Sequence, residues 1–187
     1  MSGSFSLFKV YLPKNSKVAR FLINIWPPFF FAGIRVEKLT SDFRYCRVVL
    51  KDSRWTRNMN GSQYGGSLFA MTDPIYSLML ILILGDKYFV WDKEAEIEFK
   101  KPAIGPTTLE CRVSEELLQK IKDSTEGGDK FFPVMVDNLY NQNREIVTTV
   151  KRKMYIRLKP AFRPKVNNKI ITNTNHSLRR HYERKKQ

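Results

Sequence analysis

A polar, glycine-rich turn leads directly into the most apolar stretch of the sequence, and one carboxylate lies within that stretch. The turn runs from Asn58 to Gly66, and Asp73 follows it. Glycines let a ligand approach the backbone closely, and N–H groups at the start of a helix stabilise a developing negative charge. An aspartate inside an apolar helix is neutralised, paired or held ready for a reaction. The pattern predicts an oxyanion site with Asp73 nearby.

Each of these residues also has a purely structural interpretation. Gly65 and Gly66 permit a tight turn from strand to helix, Asn58 caps a loop, and Asp73 pairs with a basic residue. Their joint spacing favours a functional site over these separate roles.

The apolar stretch after the turn predicts a buried central helix. It extends from Gly65 to Leu84 and ends at Gly85, a common type of helix stop. The uninterrupted apolar run after Pro74 is roughly half of the ~20 residues that a bilayer requires, so a core helix is favoured over a membrane span. Pro74 predicts a kink or an early turn in this helix.

The segments that flank this helix have the composition and the two-residue period of β-strands. They are Ile34–Leu39, Tyr45–Leu50, Tyr88–Trp91, Ala95–Phe99, Leu109–Val113, Phe131–Val136 and Ile146–Leu158. A capping pattern at Ser114 predicts a short helix between two of them. The chain is therefore predicted to be an α+β domain in which an antiparallel sheet is wrapped around one long central apolar helix.

The same period assigns directions within the charged stretch 92–99. It predicts that three apolar residues point inward and three acidic residues point to solvent, namely Ala95, Ile97 and Phe99, and Glu94, Glu96 and Glu98, respectively.

The chain has 187 residues, of which 33 are basic and 18 acidic, giving a net charge of +15. This balance admits polyanionic partners such as nucleic acid, anionic lipid or phosphorylated small molecules. Eight basic residues and one acidic residue between Pro160 and Gln187 give this tail +7. The tail 160–187 is interpreted as a solubilising end, with nucleic-acid or anionic-membrane contact as the alternative.

Residues 1–26 are predicted to form an amphipathic helical extension, broken near Pro13, that precedes a domain at 27–159. Packing of this extension on the domain is favoured over contact with a membrane.

Histidine and cysteine usage excludes several kinds of site. The only histidines, His176 and His181, lie in the tail, so the domain has no imidazole for a zinc site or a Ser-His-Asp triad. Cys46 and Cys111 have no CxxC spacing, and residues 1–17 lack the pattern of a secretory signal. We expect a reduced, cytoplasmic protein without a structural disulfide, a bound metal or a cofactor.

The glycine-rich turn and its aspartate resemble the signature of phenylacetate-type hotdog thioesterases. The pattern Asn58-x-x-Gly61-x-x-Tyr64-Gly65-Gly66-x(4)-Met71-x-Asp73 matches the spacing of N-x-x-G-x-x-H-G-G-x(4)-L-x-D. The closer likeness, over about residues 26–158, is to the DUF4442 proteins, and is carried by Trp26-Pro-Pro-Phe, Gly65-Gly-Ser-Leu-Phe-Ala-Met-Thr-Asp-Pro and Val90-Trp-Asp-Lys. Tyr64 stands where the family pattern has His. Its phenol, with a reference pKa of ~10, is a poor substitute for imidazole in proton transfer.

The resemblance implies a hotdog fold, homodimers or dimers of dimers formed by pairing edge strands, and active sites at subunit boundaries. It implies that Asp73 is the general base or the nucleophile that attacks an acyl thioester, and that the Gly66 N–H polarises the thioester carbonyl. Asn58 would orient water or substrate. Burial in the helix is expected to raise the proton affinity of Asp73.

The implied substrate is an acyl-coenzyme A, so that coenzyme A is part of the substrate and not a cofactor. Tyr64 and Gly65 are predicted to contact the acyl thioester, and Arg57, Lys100 and Lys101 to contact its phosphates. Arg54 is a further candidate for these phosphates. The alternative is a hotdog module that binds acyl thioesters or lipids without hydrolysing them, which the tyrosine at position 64 would permit.

Overall fold

A computed structural model describes residues 13–164 of the chain. The strands are β1 (Ile34–Leu39), β2 (Tyr45–Leu50), β3 (Tyr88–Phe99), β4 (Thr107–Arg112), β5 (Val134–Tyr140) and β6 (Ile146–Leu158). The α-helices are α1 (Ser16–Ile25), α2 (Pro27–Ala32), α3 (Gly65–Ala70), α4 (Ile75–Leu84) and α5 (Glu115–Thr125), and short 3-10 turns lie at Gly85–Lys87 and Pro160–Phe162.

The six strands form one antiparallel sheet in the order β1-β2-β4-β5-β6-β3. The inner face of the sheet and the central helices enclose a single apolar core. Its fully buried residues include Met71, Ile75 and Met79 from the central segment and Leu109 and Ile156 from the sheet. The predicted α+β fold, an antiparallel sheet around a central apolar helix, is confirmed.

The central helical segment is interrupted in its first half. Helix α3 ends at Ala70 and α4 begins at Ile75, because Pro74 cannot donate a backbone hydrogen bond and its ring disfavours a continuous helix. Residues 65–87 are long and apolar enough to cross a membrane, since an 18-residue window within them has a mean hydropathy of 1.8, but half of that window is buried inside the protein. The prediction of a buried core helix is confirmed. Pro74 was predicted to kink this helix or to lie in an early turn of it, and it instead lies just before α4, in the turn that separates the two helices.

Three strands differ from their predicted limits. Strand β4 spans Thr107–Arg112, where Leu109–Val113 was predicted. Strand β3 is one continuous strand with a bulge between Asp92 and Glu94, where two separate strands were predicted. Strand β5 begins at Val134 and not at Phe131, which forms only an isolated bridge to Ile156. Pro133 lies between them and cannot donate to a strand ladder.

Helix α1 lies along the outer edge of β1. The side chain of Asn24 accepts a hydrogen bond from Val36 N–H (2.7 Å) and donates one to the Val36 carbonyl (3.0 Å). Arg20 donates to the carbonyl of Glu37 (2.6 Å). The extension predicted at residues 1–26 therefore contains a helix that packs on the domain, while residues 1–12 and 165–187, including most of the basic tail, lie outside the described residues.

Candidate active site at the central helix

The loop 58–63 is held in shape by the side chain of Asn58. Its Oδ1 accepts hydrogen bonds from the N–H groups of Asn60 (2.9 Å) and Ser62 (3.2 Å), and its Nδ2 donates to Ser62 Oγ (2.9 Å). Asparagine commonly closes turns in this way, through bonds to the backbone that follows it. Asn58 therefore fixes the loop that leads into α3, and its contact with water or substrate stays a prediction.

A cleft of about 450 Å³ lies between this loop, the start of α3 and the segment after β3. Four of the predicted site residues line it together with Phe99, namely Asn58, Gly65, Lys100 and Lys101. A Cβ added to Gly65 would lie 3.0 Å from the Phe99 ring, so the glycine allows this ring to approach the start of the helix. The fold thus brings the segment 100–101 to the glycine-rich turn.

Tyr64 and Gly66 lie in contact at the start of α3. The Tyr64 side chain is largely exposed, and its ring lies against the Gly66 backbone so closely that a Cβ at position 66 would overlap it. Gly66 is the second residue of α3, so its N–H is one of the helix-terminal donors that have no acceptor inside the helix. The tyrosine ring therefore packs beside the predicted oxyanion donor.

Asp73 lies in the turn between α3 and α4, and its side chain is exposed. Its backbone N–H donates to the carbonyl of Ala70 (3.2 Å). The expectation that Asp73 is embedded in an apolar helix is wrong for the single chain, because the helix is interrupted here. The residues that flank Asp73 and Pro74, namely Thr72 and Ile75, are buried instead.

A buried arginine ties this turn to strand β3. Arg152, on the inner face of β6, is 3% exposed. Its Nε and Nη2 donate to Thr72 Oγ1 (2.9 and 2.7 Å), and its Nη1 donates to Asp92 Oδ2 (2.6 Å). Ser77 donates to the other oxygen of Asp92 (3.2 Å), and the Arg152 guanidinium lies 4.9 Å from the centre of the Phe69 ring.

Asp92 is thus a half-buried carboxylate close to the exposed one at position 73. Burial raises the pKa of the Asp92 carboxyl above its usual value, the charge of Arg152 opposes that rise, and the charge of Asp73 adds to it. Two neighbouring carboxylates in different surroundings suit general acid–base chemistry. Within residues 13–164, no group of three or more histidine, cysteine or carboxylate side chains is placed to bind a metal ion.

Three of the four basic residues considered for the substrate phosphates lie next to a carboxylate. Three ion pairs result, namely Arg57–Asp52 (2.6 Å), Lys100–Glu98 (2.6 Å) and Lys101–Glu145 (2.9 Å). All are solvent-accessible, and such pairs are weak enough for a phosphate to compete with the carboxylate. The two lysines border the cleft, whereas Arg57 pairs within its own loop.

The predicted directions of the side chains in β3 are confirmed. The acidic residues lie on the outer face, where two of them pair with lysines of β6, as Glu94–Lys153 (3.3 Å) and Glu96–Lys151 (3.3 Å). Ala95, Ile97 and Phe99 lie opposite inward-facing residues of β6. They are only partly covered, because the central helices lie over other parts of the sheet; Phe99, for instance, is 54% exposed.

Sequence reasoning missed three residues of this region. Asp92 and Arg152 fall on the inner faces of their strands. The two-residue period of β6 would have marked Arg152 as inward. The period that assigned Glu94, Glu96 and Glu98 to solvent assigns Asp92 there as well, and only the bulge between Asp92 and Glu94 turns Asp92 inward. Gln63 carried no signal, since a glutamine in a polar loop is ordinary. It is buried and donates to the carbonyls of Lys51 (3.2 Å) and Gly105 (3.0 Å), and its Oε1 has no hydrogen-bond partner within the described residues.

Comparison with known families gives one match. The model of the domain of unknown function DUF4442 matches residues 14–156. Comparison with curated proteins gives no match.

Solved structures share the fold at low sequence identity. A protein of unknown function from Pseudomonas aeruginosa, described as a probable thioesterase, is 22% identical with a TM-score of 0.71, over 79% of this chain and 99% of its own. The PaaI protein from the phenylacetic acid degradation operon of E. coli is 16% identical with a TM-score of 0.56, over 78% of this chain and 94% of its own. A thioesterase from Haemophilus influenzae is 12% identical with a TM-score of 0.57, over 77% and 91%, respectively. These superpositions confirm the predicted hotdog fold.

Proposed function

The chain belongs to the DUF4442 family, and on that premise we propose that it hydrolyses an acyl thioester such as an acyl-coenzyme A. The observation that carries the proposal is the pair of carboxylates Asp73 and Asp92, one exposed and one half-buried against Arg152, beyond the C-terminal end of α3. Gly65 and Gly66 form the N-terminal end of the same short helix. The thioesterases that share the fold support the same class of reaction.

Asp73 is the general base in this proposal. Its carboxylate takes a proton from a water molecule while the water oxygen attacks the thioester carbonyl carbon. The C–S bond then breaks, and the sulfur leaves as a thiol with the proton that Asp73 took from the water. The products are a carboxylic acid and a thiol, and the carboxylate of Asp73 is regenerated. In the alternative form, Asp73 attacks the carbonyl directly and water hydrolyses the resulting anhydride.

Three further residues of the site act on the same bound carbonyl or hold the residues that do. The Gly66 N–H donates to the carbonyl oxygen as its negative charge develops. Asn58 keeps the loop before it in shape, and Arg152 keeps the turn at Thr72 in place beside Asp92. Because Arg152 acts through these neighbours, it is a positioning residue.

A second copy of the chain completes the site. The inner face of β3 carries partly covered apolar residues, and within residues 13–164 no strand pairs with its outer edge. Pairing of two β3 edges across a dimer would cover Ile97 and Phe99 and bring a neighbouring subunit to the exposed side of Asp73. A dimer, or a dimer of dimers, is therefore part of the proposal, and cytoplasmic localisation remains a prediction.

Release of free thiol from a panel of acyl-coenzyme A substrates tests the reaction. The wild-type protein hydrolyses at least one of them, and Asp73→Asn lowers the rate by about 100-fold or more, because the amide cannot accept the proton from water. Asp86→Asn, at an exposed position beyond the other end of α4, is the matched control and keeps wild-type rates. Equal rates for wild type and Asp73→Asn exclude Asp73 as the base.

Kinetics with two kinds of substrate test the phosphate contacts. Lys100→Gln combined with Lys101→Gln raises KM for an acyl-coenzyme A several-fold and leaves kcat unchanged, because uniform binding energy is lost. The same variant treats an acyl thioester of N-acetylcysteamine, which has no phosphates, as the wild type does. A similar rise of KM for both substrates would show that Lys100 and Lys101 do not contact the phosphates of coenzyme A.

A second candidate function is binding of acyl thioesters without hydrolysis. The specific observation in its favour is Tyr64, whose ring lies beside Gly66 where the family pattern has an imidazole. This candidate predicts that wild-type protein retains an acyl-coenzyme A in equilibrium dialysis and releases no thiol from any member of the panel. Tyr64→His then separates the two candidates further, since a gain of turnover in this variant shows that only the imidazole is missing.

A further inference from the structure

Helix α1 presents its most apolar face to solvent. Val18, Phe21, Leu22 and Ile25 have the spacing i, i+3, i+4 and i+7, which places them on one side of the helix. All four are exposed, whereas only Ala19 and Ile23 are buried against the domain. An amphipathic helix of a globular protein ordinarily has the opposite orientation, with its broad apolar face toward the core.

Polar contacts to the sheet fix this orientation. Asn24 forms two hydrogen bonds with the backbone of Val36, and Arg20 forms one with the carbonyl of Glu37. These contacts lie on the side of α1 that faces β1. Rotation of the helix to bury its apolar face would break all three bonds and leave the edge of β1 unpaired.

The next helix extends the apolar surface. Trp26, Phe30 and Phe31 are exposed at and after the junction of α1 and α2, while Phe29 is buried beneath them. Together with the four residues of α1 they are here called the aromatic face, and each member is between 41% and 79% exposed. Seven exposed apolar residues on two successive helices indicate an interaction site, unlike single exposed apolar residues.

The charges in the segment that carries the aromatic face are all positive. The sequence from Met1 to Val36 contains five basic residues and no acidic residue. Lys17 lies one helical turn before Phe21 and is exposed at the border of the face, and Lys14 is exposed just before the helix. Two such surfaces would repel each other, whereas an anionic surface complements both the charges and the apolar side chains between them.

We propose that the aromatic face docks on an anionic lipid bilayer, with α1 lying in the plane of the membrane surface and its apolar residues in the headgroup–acyl boundary. Helices with Lys or Arg beside a face of Trp, Phe and Leu bind bilayers in this way. Tryptophan is also enriched at this boundary. Docking through this surface is independent of whether the protein hydrolyses thioesters.

Co-sedimentation of the full chain with lipid vesicles tests the proposal. The wild-type protein sediments with phosphatidylcholine vesicles that contain about 30% phosphatidylglycerol, and much less with pure phosphatidylcholine. Binding weakens at about 0.5 M NaCl, where charges are screened. Phe21→Ser combined with Phe31→Ser lowers the partition coefficient by on the order of a hundredfold, through lost apolar burial. Lys14→Gln combined with Lys17→Gln lowers it about tenfold or more.

Matched controls separate this surface from other sources of binding. Val134→Ser combined with Val136→Ser removes two exposed apolar residues from the outer face of β5 and leaves vesicle binding unchanged. The basic tail is the same in every variant. If the tail alone bound the vesicles, Phe21→Ser/Phe31→Ser would have the same partition coefficient as the wild type, and this result would overturn the proposal. Circular dichroism of each variant confirms that it is folded.

The other possible occupants of the face give different results, each of which overturns the proposal. A lower molecular mass of Phe21→Ser/Phe31→Ser in the absence of lipid identifies a second copy of the chain as the occupant. Binding by a variant that lacks residues 2–12, but not by the full chain, identifies that segment as the occupant. Absence of binding by both the full chain and this shortened variant excludes a bilayer.

Discussion

The two edges of the sheet are treated differently. Helix α1 covers the edge of β1. The side chain of Asn24, in this helix, forms the two hydrogen bonds with the backbone of Val36 that a neighbouring strand would otherwise form. At the other end of the sheet, no strand or helix among residues 13–164 pairs with the outer edge of β3. Uncovered edges are sites of strand addition. Among the described residues, only the β3 edge is therefore open to pairing with the sheet of another subunit. Asp92 lies on this edge strand.

Buried contacts in the interior of the domain support the β3 edge, whereas a helix on the outside of the sheet supports the β1 edge. Arg152 joins β6, the turn at Thr72 and Asp92 of β3 through buried hydrogen bonds. The contacts of α1 with β1 are nearer to solvent. Removal of the buried contacts of Arg152 should therefore cost more stability than removal of the contacts of α1.

Arg152→Met tests the inner support of β3. We expect the free energy of unfolding to fall by about 3–5 kcal/mol, because Asp92 and Thr72 lose a buried charged partner. Urea denaturation measures the change. Lys153→Met, at the next residue of β6 but on the exposed outer face, changes stability by no more than about 1 kcal/mol. A loss below that value for Arg152→Met would show that the open edge does not depend on this residue.

Asp137, on β5 between the two edges, tests how far the influence of Arg152 extends. Burial raises the pKa of Asp137 to about 6, while the hydrogen bond from Tyr76 (3.0 Å) and the charge of Arg152 lower it. Because the folded state holds this proton more tightly than the unfolded state, the contribution of Asp137 to stability is full below about pH 4 and is lost as the pH rises through about 6.

The expected loss across that window is on the order of 2–3 kcal/mol, and Asp137→Asn removes it. Urea denaturation at several pH values measures the difference between the two proteins. In Arg152→Met the contribution of Asp137 to stability should persist to a higher pH, because the positive charge that lowers the pKa of Asp137 has been removed. Parallel pH curves for wild type and Asp137→Asn would contradict this account of Asp137.

Ile97→Lys tests the pairing of open edges. A charge on the inner face of β3 should weaken self-association by about 10- to 100-fold, or about 1.4–2.7 kcal/mol, because the lysine would be buried by the neighbouring subunit. Sedimentation equilibrium over a range of concentrations gives the dissociation constant. Glu96→Gln changes the outer face of the same strand and should leave the constant as it is. Equal constants for Ile97→Lys and wild type would place the contact elsewhere.

Asn24→Ala tests the covered edge and should have the smallest effect. Loss of the two hydrogen bonds to Val36 lowers the free energy of unfolding by about 1 kcal/mol, since water can reach part of the exposed backbone. Lys17→Ala, on the same helix, stays within about 0.5 kcal/mol of wild type. A decrease as large as that of Arg152→Met would remove the distinction between the edges.

Regular elements could be predicted from the sequence where one period describes a whole segment. The predicted limits of β1 and β2 match the structure. Burial alternates along the whole of β2, whereas a bulge between Val36 and Lys38 interrupts the alternation in β1. The central segment was recognised from its apolar content and Pro74. The limits of β5 could not be found in this way, because Phe131 and Phe132 have strand composition although Pro133 separates them from the ladder.

The candidate site was predictable only in its local part. Asn58, Gly65 and Asp73 lie within one short stretch whose spacing carries the signal. The contact of Arg152 with Asp92 joins residues of two strands, and it depends on register, which a two-residue period alone does not give. The exposure of Asp73 depends on the direction of a turn. Lys100 and Lys101 were placed at the cleft by the fold, although their carboxylate neighbours were not anticipated.

The outward position of Asp73 has a consequence for how catalytic rate scales with enzyme concentration. In the proposed mechanism the neighbouring subunit supplies the remaining wall around this carboxylate. Turnover per molecule should therefore decrease on dilution and reach half of its maximum near the concentration at which half of the protein is assembled. A profile of rate against dilution thus reads out assembly directly, and pre-incubation at high concentration restores the full rate.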